Sequence, residues 1–207
     1  MAIPLAQIKP TYPPNTPDAS SESPTIQSTI KTLNLQPHIE GGYFVETDRD
    51  TLRVPNPHPP RSENDTTRSA STSIYYLLTP RSPLGAFHRN ASRTVHTLHR
   101  GRGMYVILHA DKESVRRNGG KAAVETFVVG QDIEKEERLQ WVVEGGKYKG
   151  TFLLPDDGGS SNGLLISETV VPGFEFADHD FLRADKMDEL LTPDQVQELD
   201  WMLRKTN

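Results

Sequence analysis

Between His88 and Gly101 the chain reads HRNASRTVHTLHRG, which gathers imidazoles, an amide and hydroxyl groups into one short stretch. Imidazole has an ordinary pKa near neutrality and is also a common metal ligand, so such a stretch can serve proton transfer or metal binding. Spacing separates the candidates. His96 and His99 lie three apart on an expected strand, so they point to opposite faces and cannot chelate one ion together. His96 shares a face with Thr94 and is expected to see a pocket, whereas His99 is read as structural. A second polar stretch, VVEGGKYKG, supplies Lys149. Its ammonium has no lone pair to offer a metal, but it can stabilise a developing negative charge. His38 and His58 fall in loops and His109 near a strand end, where surface roles are expected.

The elements that must position these groups are mostly strands. Gly42 to Thr47 reads as a strand with Tyr43, Val45 and Thr47 on one face and Phe44 and Glu46 on the other. SASTSIYYLLTP is a strongly apolar strand closed by Pro80. Further strands are expected at 84–90, 93–99, 104–110, 122–129, 139–143, 147–154 and 164–171. Gly-rich turns such as Gly101-Arg102-Gly103, Asn118-Gly119-Gly120, Gly145-Gly146 and Asp157-Gly158-Gly159 separate them. Many short strands with no βαβ alternation indicate an all-β sandwich or barrel. Ser23-Pro24 opens a short helix with Ile26, Ile30 and Leu33 on one face, ended by Asn34 and Pro37. Thr192-Pro193-Asp194-Gln195 is a capping box leading into a stripe of Val196, Leu199, Met202 and Leu203.

Residues 1–23, rich in Pro, Ser and Thr, read as a flexible or surface-lying tail, with one domain over 24–207. The barrel is expected at about 40–183 and the C-terminal helices at about 185–204. The Pro-rich loop from Val54 to Thr67 is long enough to suggest a lid. GFEFADHDF is read as a solvated strand end with Phe174 and Phe176 inward. Glu175, Asp178 and His179 in it could instead order the barrel mouth or a dimer contact.

Composition narrows the partners. The 207 residues carry 23 Lys+Arg against 28 Asp+Glu, a net charge of -5, with 34% hydrophobic residues. Such a balance gives no electrostatic footprint for nucleic acid. No apolar run is long enough for a membrane span, and the N-terminus lacks the order of a secretory signal. With no cysteine there is neither a disulfide nor a thiolate site. A soluble, cytoplasmic protein is expected.

The spacing around His88 resembles the two motifs of metal-binding cupins, His-x-His-x(3,4)-Glu-x(6)-Gly and Pro-x-Gly-x-x-His. The first falls on His88, Asn90, Thr94 and Gly101, and the second on Glu144, Gly146 and Lys149. Of the ligands only His88 is kept, so no metal and no cofactor is expected at the usual position. HIEGGYFVETDR, STSIYYLLTP, FHRNASRTVHTLHRG and VVPGFEFADHDF together resemble the small single-domain cupins of cupin family five, in a fungal-type subgroup. That resemblance implies a double-stranded β-helix (jelly-roll barrel), with the N-terminal helix and C-terminal helices packed outside, often as a homodimer. The family is similar in shape to sugar-nucleotide epimerases and seed-storage cupins.

A cupin barrel encloses a cavity suited to a small molecule. One reading is metal-independent isomerase, epimerase or lyase chemistry by proton transfer next to a carbonyl. His88 would be the base, Lys149 the stabilising charge and Tyr75 or His96 the returning acid. Asn90, Thr94, His96, Tyr43 and Glu46 would bind the ligand; Tyr43 and Glu46 share an inward face only if a bulge intervenes. The alternative is a non-catalytic ligand-binding module, and a metal-dependent oxygenase is the least supported reading.

Overall fold

The structure, a computed structural model, describes residues 3–13, 18–59, 65–156, 158–159 and 161–205. Helix α1, Pro24–Thr32, begins where the Ser23 hydroxyl accepts the Ile26 N–H, and it ends before Asn34 turns left-handed. Then follow β1 Gln36–Pro37, β2 Tyr43–Arg49, β3 Arg53–Pro55, β4 Thr67–Ser69, β5 Thr72–Leu78, β6 Leu84–Arg89, β7 Arg93–Arg100 and β8 Arg102–His109. Helix α2, Lys112–Arg117, precedes β9 Ala123–Val129, β10 Gln140–Val143, β11 Tyr148–Leu154, β12 Leu164–Val171 and β13 Asp180–Phe181. The chain finishes with α3 Ala184–Leu190 and α4 Pro193–Leu199, the latter opened by the reciprocal Thr192–Gln195 capping box.

Two antiparallel sheets make the barrel, in the orders β1-β2-β5-β12-β7-β10 and β13-β6-β11-β8-β9. Strand alternation sorts the side chains into layers. Tyr76 and Leu78 of β5, Leu164 and Ile166 of β12, Tyr105 and Ile107 of β8 and Leu153 of β11 meet between the sheets. Neighbouring residues point outward and are buried there too. Tyr43 and Leu77 pack under Ile26 and Ile30 of α1 on the six-stranded sheet. Phe87, Met104, Val106, Leu108 and Phe152 pack under Met187, Leu190, Leu199 and Met202 on the five-stranded sheet. Coverage of both faces explains why β5 and β8 read as continuous apolar runs.

The N-terminal segment, read as a flexible or surface-lying tail, can be followed over its described residues. There it packs on the barrel: Ile8 is fully buried with Leu199 and Met202, and the Ile3 N–H donates to Thr126 Oγ1 at 2.9 Å. The 54–67 loop is partly organised by the pairing of β3 with β4, and His58 Nε2 lies 2.7 Å from Ser92 Oγ. Residues 60–64, on which the lid expectation falls, lie outside the described residues, as does Asp157 in the Asp157-Gly158-Gly159 turn. No helix among the described residues is long and apolar enough to cross a membrane.

Ile8→Ala is expected to lower the unfolding free energy by about 2–5 kcal/mol, the usual cost of emptying a buried aliphatic position. Urea denaturation checks this; an unchanged midpoint would mean that the segment is not packed in solution.

Candidate functional site

Strand parity aims the polar residues. On β6, Phe87 points out to the helices, so His88 points into the barrel. On β11, Tyr148 points out and Lys149 in, and the two strands place Lys149 opposite His88. Lys149 is 3% exposed, and burial of an ammonium is costly unless it is paired. Its Nζ donates to Glu168 Oε2 at 2.5 Å and to His96 Nε2 at 2.8 Å. His96 in turn stacks on Trp141, with ring centroids 5.1 Å apart, and meets Tyr105 edge-on. Burial pushes the Glu168 carboxyl up, but Lys149 and His96 hold it well below the usual carboxylate range. Burial and the Lys149 charge both push His96 down, keeping it neutral. This group forms the floor between the apolar interior and the open end.

Above the floor lies a cavity open to solvent. Phe44, Ile74, Val170, Phe174 and Phe176 supply its apolar lining; His38, Glu40, His88, Asn90, Glu46 and Glu168 supply the polar surface. Glu40 sits in the turn between β1 and β2. Gly41 follows it at φ 107°, and a Cβ there would lie 2.0 Å from the Leu84 carbonyl oxygen. Only glycine allows this turn to press against β6. The Ala86 N–H donates to the Glu40 carbonyl at 2.8 Å, and the Tyr76 hydroxyl donates to that of Gly41 at 2.8 Å. The turn is thereby pinned with the Glu40 carboxylate directed inward.

His179 reaches the same carboxylate from the far end of the chain. It precedes β13, which pairs with β6 opposite Arg89 and His88. Arg68, only 1% exposed, forms a buried ion pair with the adjacent Asp178. The segment so held donates His179 Nε2 to Glu40 Oε1 at 2.8 Å and stacks the ring on His88 at 5.4 Å. His88 Nε2 lies 3.3 Å from the same oxygen, and its Nδ1 is 2.9 Å from the Ala86 carbonyl. His38 Nδ1 is 3.5 Å from the other carboxylate oxygen. Burial pushes His88 down to about 4 against the pull of Glu40. Burial would raise Glu40, but His88, His38 and His179 bring it down to about 2.

The expected residues are distributed unevenly. His88, Asn90 and Glu46 line the cavity. Thr94 and His96 are buried below it, and Lys149 is committed to the floor rather than free to face a ligand. Tyr43 and Tyr75 are corrected: both point outward, Tyr43 into the layer beneath α1 and Tyr75 against His99. The inward tyrosine of that pair is Tyr76. The β2 bulge falls after Glu46, so it cannot turn Tyr43 inward. His38, expected at the surface, lines the cavity, and His179, also expected there, has its side chain largely enclosed beside Glu40, while Phe176 is 66% exposed at the mouth rather than inward. Glu40 and Glu168 were not anticipated. The signals were present as an acid before Gly-Gly in HIEGGYF and an acid within the apolar strand LLISETVV.

A family model described as Cupin superfamily (DUF985) matches residues 27–182. The protein is a cupin of that family. An uncharacterised protein of Saccharomyces cerevisiae is 46% identical over 180 residues, 84% of each chain. A hypothetical protein from Leishmania major is 30% identical with a TM-score of 0.70, over 86% of this chain and 98% of that one. A protein from Shewanella oneidensis, 22% identical with a TM-score of 0.67, covers 87% of this chain and 98% of its own, and shows the fold. The motif positions of this cupin do not suit a metal. Asn90 offers an amide, Thr94 a hydroxyl, and the Lys149 ammonium is held by Glu168.

Glu168→Gln is expected to destabilise the cupin by about 3–5 kcal/mol, because it strands the buried Lys149 charge. Since the folded-state pKa of Glu168 is depressed, the pair's contribution is complete above the unfolded value near 4.5 and is lost as pH falls below it. Stability measured from pH 7 down to pH 3 should therefore fall more steeply in the wild type than in the Gln variant.

Proposed function

We propose that this cupin binds a small hydroxy-carbonyl compound in the mouth cavity and isomerises it by moving a proton. The site for that chemistry is Glu40, His88 and His179. The observation that carries the reading is the cluster of proton acceptors and a donor around the Glu40 carboxylate, in which Glu40 and His88 line the cavity and His179 bonds to Glu40. Glu40 is a carboxylate, neutral His88 has its Nδ1 on the Ala86 carbonyl and its Nε2 bare, and His179 Nε2 carries a hydrogen. Proton shuttling between neighbouring substrate atoms requires such a combination within hydrogen-bond reach. The Lys149 role in the sequence-based reading passes out of the scheme, because its charge is matched by Glu168.

The lining argues for the ligand class. No described lining residue is Lys or Arg, and Glu46 is matched by Arg49 at 2.8 Å, so nothing favours a phosphorylated compound. A lining that mixes aromatic and aliphatic side chains with carboxylates, imidazoles and an amide suits a small molecule with both apolar surface and several hydroxyls. The side-chain oxygen of Asn90 is buried without a hydrogen-bond partner and would accept a ligand hydroxyl. A homodimer draws support from edge strand β10, where Val142 is 38% exposed beside the exposed Leu139.

The test is solvent-deuterium incorporation, followed by NMR, over a panel of neutral aldoses, ketoses and hydroxyketones in D2O. Wild-type protein should exchange the proton next to the carbonyl of a compound that it binds. His88→Gln and Glu40→Gln should each slow exchange by about 10²–10⁴-fold, the usual worth of a positioned acid or base. Binding without exchange would leave the protein a ligand-binding module.

A further inference from the structure

We infer that Glu40, His88 and His179 form a binding site for one divalent transition-metal ion, made from residues of which only His88 belongs to the cupin motifs. The inference rests on the reading of the cavity for what the ion would act upon, but it replaces the proton-acceptor roles given there to Glu40 and His88, whose lone pairs the ion would take. Its own support is geometric. One ligand atom from each of the three residues lies within 4.8 Å of the others. Donors bound at about 2.1 Å to one ion sit about 3.0–3.4 Å apart in octahedral or tetrahedral arrangements. The two measured pairs, Glu40 with His179 and Glu40 with His88, are 2.8 and 3.3 Å apart; the first is a hydrogen bond, whose proton His179 Nε2 would give up on binding the ion.

The His88 tautomer points the same way. Its Nδ1 can bond the Ala86 carbonyl only as a donor, so in the neutral ring Nε2 carries a lone pair. That lone pair faces a carboxylate oxygen at 3.3 Å, an arrangement of two acceptors that a cation between them resolves. A ring nitrogen fixed by a backbone carbonyl, with the other free, is the usual outer support of a metal-bound histidine.

Charge balance is a third, separate observation. Among the carboxylates lining the cavity, Glu46 has Arg49 and Glu168 has Lys149. Glu40, with its side chain 9% exposed, is paired with histidines and, among the described residues, with no fixed cation. A buried carboxylate of this kind is costly, and a dication offsets the cost. Two imidazoles and one carboxylate suit iron, cobalt, nickel, zinc or manganese better than the all-oxygen preference of magnesium or calcium. When bound, such an ion polarises a carbonyl or hydroxyl oxygen of the cavity's occupant.

The experiment uses untagged full-length protein, stripped with a chelator and titrated with Co²⁺ in the absence of organic ligand. The expected result is one Co²⁺ per chain, read by visible absorption and elemental analysis, with two hyperfine-shifted imidazole N–H signals in the NMR spectrum. Glu40→Gln and His179→Gln should each weaken binding by more than about 100-fold, since even outer-sphere partners are worth about 10–100-fold. His99→Gln, on the outer face, should leave it unchanged. Absence of stoichiometric binding by folded wild type, absence of the two imidazole signals, or unchanged affinity in both site variants would overturn the proposal. The NMR signals come from the wild type, so the result stands even if a variant misfolds. Because no organic ligand is present, a negative result here leaves the deuterium-exchange test of function untouched.

Discussion

Between the two sheets of the barrel, a lysine ammonium meets a glutamate carboxylate at 2.5 Å, with an imidazole accepting a second bond from the same nitrogen. Neither Lys149 nor Glu168 could be buried alone, since an isolated ion in such surroundings costs several kcal/mol. Together they mark where the hydrocarbon interior of Leu164, Ile166 and Leu153 stops. Along β12 the inward positions pass from Leu164 and Ile166 through Glu168 to Val170 at the cavity wall. The pair fixes the depth of the cavity. It also explains how a lysine at a metal-ligand position of the cupin motif is accommodated beneath the cavity.

The upper site is organised differently. His88 lies in β6 itself, while Glu40 and His179 come from irregular segments held against the barrel by specific anchors. The Gly41 turn lies against Leu84, the Glu40 carbonyl takes the Ala86 N–H, and Arg68 holds Asp178 beside His179. Rigid support of this kind is what a centre with distances near 3 Å needs. The floor carries the permanent charges, while the wall carries histidines whose protons and lone pairs can be rearranged.

Much of the barrel was legible because alternation and glycine-rich turns are local properties. The strands around Tyr76, His88, His96, Lys149 and Glu168 occur where periodicity indicates. The sense of the alternation was less legible. Tyr43 and Tyr75 look as apolar as their neighbours Phe44 and Tyr76 because helix α1 buries the outer face as well. With both faces covered, hydrophobicity cannot say which one is inside. Glu40 and His179 escaped for another reason: a turn, and the residue that follows the 3₁₀ turn Phe176–Asp178, have no period from which a direction can be read. The role of Lys149 depended on Glu168 and His96, partners fixed by sheet register and not by neighbourhood in the chain.

The order in which the chain supplies the upper site has a consequence for its biogenesis. Glu40 precedes the main strands, His88 lies in β6, and every strand except β13 has been passed before His179 appears. Contacts between such distant parts of a chain form late, because the intervening segment must first be ordered. A nascent chain can therefore bury its barrel interior while lacking the third member of the cluster. The same holds for a product truncated in the segment after β12. Such a molecule would be compact yet inert, so shape alone is no guide to whether a copy of this protein is competent.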